Sequence, residues 1–197
     1  AHFEYLLRLG DNALILGQRL GEWCGHGPVL EQDIAITNIA LDLIGQSRSL
    51  LEHAGNIEGK GRSEDDLAFL RDSWDFRNIL LVEQPNQDWA FTIVRQFLFD
   101  AFHYPLLQQL TASKDEHLAA IAHKSLKEVA YHLRYSAEWM IRLGDGTEVS
   151  HQKMQTALDE LWEFSGESTT ADEVDRLVEA AGIGANPDLI QDRKSVV

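Results

Sequence analysis

Asn38-Ile39-Ala40-Leu41-Asp42-Leu43-Ile44-Gly45-Gln46-Ser47-Arg48 and Leu126-Lys127-Glu128-Val129-Ala130-Tyr131-His132-Leu133-Arg134 are the two stretches whose reading decides the fold. Both carry apolar residues at helical spacing, and both set polar residues among them. In bundles that hold two irons, one helix of each pair offers a lone carboxylate and the other offers Glu-x-x-His, all facing inward. Residues three apart lie about 60° apart around the axis and about one turn along it, so both reach one metal. Carboxylate oxygens suit iron, and a neutral imidazole adds a directional nitrogen. Here the first stretch keeps the shape of that motif with Asp42 leading and Gly45 in the place of histidine. The second keeps His132 but has Val129 where the carboxylate belongs. Glu128 is about 100° round the helix from Val129 and is no simple substitute.

Working outward, the spacing predicts long helices over about 3–23, 29–54, 88–111 and 115–143, with shorter ones over about 150–164 and 170–181. Pro28 is placed to open the second helix, because the first turn does not need its missing N–H. The stretch 55–62 reads as a loop. Ser63 and Asp66 have capping-box spacing for a short helix, and Thr170 with Glu173 repeats that spacing. Asp88 is a candidate N-cap for the third long helix. Periodicity breaks over 80–85, and Asn186-Pro187 can start one more turn. Pro105 falls inside the third long helix, so a kink or irregularity is expected over 100–105. Gly144 and Gly182 are helix stops. No strand alternation, internal repeat or domain linker is visible. The expectation is one all-α domain over 1–197, a four-helix bundle with additional shorter helices and no strong apolar face in 191–197.

The 197 residues suit a single core. With 32 acidic and 17 basic residues the formal charge is -15, a field that repels nucleic acid and anionic membrane surfaces. The single cysteine, Cys24, excludes an internal disulfide framework or a Cys-rich metal site and fits a reducing compartment. No segment approaches the apolar length of a membrane span. The opening Ala1-His2-Phe3-Glu4 lacks the layout of a signal peptide. A cytoplasmic protein with no nucleic-acid or membrane partner is expected.

The third long helix offers Asp100 as a lone carboxylate with His103 at helical spacing, whereas the first has acids at Glu4, Asp11 and Glu22 around an apolar middle, Ala13 to Leu16. Asp42, Asp100 and His132 are expected to form a metal-free polar cluster inside the bundle, since buried polar groups satisfy one another. His103 reads as a structural histidine. His26, His53, His117, His123 and His151 show no ligand spacing and are placed at or near the surface. The five tryptophans read as core or interface anchors, and Cys24 as an inert small apolar residue. The acidic run Glu64-Asp65-Asp66 suits the start of a helix.

Several strings carry a resemblance: Leu9-Gly10-Asp11-Asn12, Arg19-Leu20-Gly21-Glu22-Trp23-Cys24-Gly25-His26, Leu41 to Gln46, Leu81-Val82-Glu83-Gln84-Pro85-Asn86 and Tyr131-His132-Leu133-Arg134. In this order they are similar to the ferritin-like, PaaC-type structural subunits of bacterial phenylacetyl-CoA epoxidase, from near the first residue to about Gly182. The resemblance implies a ferritin-like subunit with no catalytic residues, no metal and no cofactor of its own. It would pair with a homologous catalytic oxygenase subunit that carries the di-iron centre. The complex would use a reductase, NADPH and oxygen to epoxidise the aromatic ring of phenylacetyl-CoA in aerobic phenylacetate catabolism. Asp42, Gly45, Asp100, Val129 and His132 then stand as vestigial metal-site positions, and a homodimer is an option for the chain alone. Two other readings stay open. One is a catalytic metalloprotein with the reduced set Asp42, Asp100, His103 and His132. The other is a ligand-binding bundle with regulatory output.

Overall fold

The computed structural model describes residues 1–191; the expectation for 191–197 lies largely outside them. Among these residues the elements are helices: α1 (His2–Gly21), α2 (Leu30–Glu58), α3 (Glu64–Phe69), α4 (Leu80–Glu83), α5 (Trp89–Leu110), α6 (Glu116–Gly144), α7 (Glu148–Trp162), α8 (Glu173–Ala180) and α9 (Asp188–Gln191), with short 3-10 turns at 73–75, 163–165 and 167–169. The fold is all-α, as a ferritin-like bundle requires.

Two helical hairpins make the bundle. α1 packs most extensively on α2, and α5 on α6, while α2 against α6 closes the hairpins together and α7 covers α5 and α6. Local signals set the helix ends. Ser63 and Asp66 form the expected capping box, Asp88 caps α5 through Phe91 N–H, and Asp115 caps α6 by accepting from His117 and Leu118.

Three expectations need correction. α2 does not stop at 54 but runs on to Glu58. Gly55 lies inside the helix, and a Cβ there would run into the carbonyl oxygen of Arg62; glycine lets the returning chain touch the helix. The turn comes at Gly59, whose φ of 70° is the left-handed C-cap. α8 is capped by Asp172 with Asp175, and the Thr170 hydroxyl instead donates to the Gly166 carbonyl. The stretch 80–85 contains the single turn α4. Pro105 does lie inside a long helix, α5. Pro187 does precede a turn, α9.

The core is divided. One apolar block gathers Leu16, Leu20, Ile39, Leu43, Ile93 and Phe99, and a second gathers Leu6, Leu14, Leu51, Leu106, Leu118 and Val129. Between them, along α2, α5 and α6, lie the buried polar residues Gln46, Asp100, His103, His132 and Ser136. A polar layer therefore crosses the middle of the bundle, at the level where the sequence places its altered motifs.

Candidate functional site

α6 presents Val129 and His132 inward, both fully buried. His132 Nε2 lies 3.0 Å from Asp42 Oδ2 across the α2–α6 contact. Burial lowers the His132 pKa, against the upward pull of the Asp42 hydrogen bond and of the Asp42 and Glu128 charges. A neutral ring that donates Nε2–H to Asp42 leaves Nδ1 as an acceptor, and Nδ1 is buried without a hydrogen-bond partner.

Asp100 is fully buried. Gln96 Nε2 donates to its Oδ1 at 2.8 Å, and the Ser136 hydroxyl donates to its Oδ2 at 2.8 Å. Burial raises its pKa to about 8, with those two hydrogen bonds opposing. His103, one turn on, packs against Phe99 with ring centroids 4.9 Å apart. Its pKa falls to about 3 through burial and then the nearby His132 ring. The layer is thus built to hold neutral groups.

The α2 motif is oriented differently from its expected reading. Gly45 is exposed, and a Cβ added there meets nothing within 4 Å. The Asp42 side chain is 38% exposed and reaches His132 from the rim of the bundle. The inward pair three apart on α2 is Leu43 and Gln46, each buried. One residue along a helix is a turn of about 100°, so the pattern of residue types at 42 and 45 points out while its neighbours point in. Gln46 Nε2 donates to Glu128 Oε2 at 2.9 Å, across the same contact.

These positions do not fit a di-iron centre. Inward α2 offers leucine and an amide, α6 offers valine and one histidine, and the inward face of α1 is Ala13, Leu16 and Leu20. Asp100 is the carboxylate that remains fully buried in the layer, and its oxygens already accept from Gln96 and Ser136. Among the described residues Asp42, Asp100, His103 and His132 do not bring three donor atoms within ligand reach of one another.

Other residues are not legible as a site from sequence. Asp11, fully buried on α1, takes a two-pronged ion pair from Arg71 and a hydrogen bond from the Arg77 backbone N–H at 2.8 Å. Arg95, also fully buried, donates to the Gln84 carbonyl and to Asn86 Oδ1. Arg19 donates to the Glu83 carbonyl, and Asn86 Nδ2 donates back to the Arg19 carbonyl. The strings around Arg19 and around Glu83 to Asn86 therefore meet in space and fix the α4–α5 turn. Charged types inside apolar runs are the available signal; the partners of Asp11 and Arg19, 60 and 64 residues away, are not.

His53 is buried, contrary to its surface placement, whereas His26, His117, His123 and His151 are exposed as expected. Cys24 is exposed. Trp23, Trp89 and Trp139 are half-buried against the core and make edge-to-face contacts, while Trp74 and Trp162 are 88% and 55% exposed.

The comparisons with known proteins accord with this architecture. The model of the phenylacetic acid catabolic protein family matches residues 1–194. The chain belongs to that family. It is 54% identical over 183 residues to one of the subunits of 1,2-phenylacetyl-CoA epoxidase from Escherichia coli strain K12, covering 93% of this chain and 73% of that one. In this member of the phenylacetic acid catabolic family, the side chains that fill the mid-bundle layer are mostly uncharged or neutralised by burial.

Proposed function

We propose that this chain is a structural subunit of a phenylacetyl-CoA epoxidase complex, with no catalytic metal or cofactor of its own. It pairs with a homologous catalytic subunit that holds the di-iron centre. Ring epoxidation with NADPH, a reductase and oxygen belongs to the complex. The observation that carries this reading is the make-up of the polar layer: Leu43, Gln46 and Val129 stand at the inward positions where carboxylates and imidazole are required, and Asp100 is engaged by Gln96 and Ser136. An apolar stripe left exposed on α2, Leu30, Ile34, Leu41 and Ile44, gives such a partner a surface to cover. The acidic charge and single cysteine suit a cytoplasmic complex. Among the described residues no helix is long and apolar enough to cross a membrane.

The test is to purify the chain with and without its homologous partner and to measure bound iron in each sample. Stable co-purification, with iron in the complex and a negligible amount in this chain alone, is expected. Two irons with carboxylate-type spectra in the isolated chain would overturn the assignment and favour the reduced-ligand catalytic reading.

A further inference from the structure

At one end of the bundle, about two turns along α2 from the mid-bundle layer, three helices bring two imidazoles and a carboxylate together. His2 opens α1, His53 stands in the last turns of α2, and Asp115 caps α6. Asp115 Oδ2 lies 2.6 Å from His53 Nε2 and 2.9 Å from His2 Nε2, and the three donor atoms all lie within 4.8 Å of one another. The side chains of His53 and Asp115 are about nine-tenths buried and that of His2 about three-quarters.

We infer that His2, His53 and Asp115 form a binding site for a divalent transition cation, for which Zn²⁺ is the probe, and that the ion staples α1, α2 and α6.

Three features support this assignment. Two imidazoles with one carboxylate are a common three-ligand set for zinc, leaving a fourth position for water. Next, His2 Nε2 is buried and close to Asp115 Oδ2 yet makes no hydrogen bond. A buried ring nitrogen left without a hydrogen-bond partner is a group that a shared cation would satisfy. Finally, the carboxylate is already oriented: Oδ1 accepts from the backbone N–H groups of His117 and Leu118 at 3.0 and 3.1 Å, which leaves Oδ2 for the two histidines. Such outer hydrogen bonds hold a ligand in place before metal arrives. The His117 ring stacks on His53 with centroids 4.5 Å apart and covers that ring's outer face. A tetrahedral ion with bonds of about 2.0 Å separates its ligands by about 3.3 Å, so the two nitrogens need only back away from Oδ2 by less than about 1 Å. His2, the most exposed of the three and on the first residue of its helix, has the freedom to do so.

The experiment uses the tag-free full chain, stripped with chelator and titrated with Zn²⁺ by calorimetry, followed by thermal unfolding. One ion per chain is expected, with Tm raised by roughly 5 to 10 °C when free Zn²⁺ is a hundred times its dissociation constant. His2→Ala and His53→Gln should each weaken binding about tenfold or more, while His132→Ala leaves it unchanged. Asp115→Ala would also remove a helix cap, so His2→Ala, which touches no cap, is the deciding variant. Absence of stoichiometric binding, or binding that survives both His2→Ala and His53→Gln, overturns the site. The outcome is separable from the assignment as a structural subunit, which concerns iron in the mid-bundle layer.

Discussion

Arg71 approaches Asp11 with both terminal guanidinium nitrogens, and neither side chain is more than 4% exposed. The pair ties the segment after α3 to the middle of α1. Arg71 also lies over the Phe76 ring, 4.2 Å from its centroid, so its cation is fully enclosed. Asp11→Ala removes the counter-charge and strands both Arg71 and the Arg77 N–H. We expect a loss of about 3–5 kcal/mol in urea unfolding. Replacing both partners with apolar residues should cost less than either single change.

Asp100 gives the layer a pH dependence of definite sign. Its pKa is raised to about 8 by burial, well above the roughly 3.9 of an unfolded aspartate. The folded chain therefore holds a proton that the unfolded chain releases. Stability from this group is fully present below about pH 4 and declines as pH rises through about 8. Asp100→Asn keeps the shape without the ionisation. The stability of that variant relative to the parent should rise between pH 5 and pH 8 by up to a few kcal/mol, read from denaturant midpoints at each pH. A pH-independent difference would contradict the assignment.

Two glycines on one helix should respond with opposite signs to the same substitution. Gly45 faces open space inside α2, so Gly45→Ala should gain about 0.5–1 kcal/mol from helix propensity. Gly55→Ala drives a methyl into the Arg62 carbonyl and should cost about 1–3 kcal/mol. Thermal melts of the two variants side by side would show it.

The His132–Asp42 contact is expected to matter for stability and not for chemistry. Asp42→Ala leaves His132 Nε2 without its acceptor in a ring whose Nδ1 already lacks a partner, at a cost of about 1–3 kcal/mol. Turnover and iron content of the assembled complex should be unchanged. A collapse of turnover with normal assembly would instead place Asp42 in the chemistry.

α1 and α6 can be read from spacing because each has one apolar face, and the starts of α3 and α5 because Ser63, Asp66 and Asp88 act on neighbours in sequence. Val129 and His132 lie on that inner face of α6, and Asp100 is buried on α5, whose apolar residues lie on all sides. Rotation about α2 is what spacing misses. Its apolar residues surround the helix, with Leu30, Ile34, Leu41 and Ile44 outside and Ile39 and Leu43 inside. Periodicity does not say which face is inner, so the residue types favour Asp42 and Gly45 over Leu43 and Gln46. Gly55 misleads for another reason: it relieves a contact with a chain segment that the helix itself does not contain. The Asp11–Arg71 pair and the His2–His53–Asp115 group are long-range, and no local pattern announces them.

The polar layer between the two apolar blocks also governs how the helices are aligned along their axes. Leucine and isoleucine side chains tolerate a neighbour that slides by a turn, about 5.4 Å, because one hydrocarbon contact replaces another. Hydrogen bonds such as Ser136 to Asp100 and Gln46 to Glu128 have no equivalent one turn away. A layer of this kind sets vertical register between hairpins, as a single buried amide does in a coiled coil. Its lasting use here is then to keep the outer ridges of α2 at a constant height, so that whatever docks on them meets the same surface in every copy.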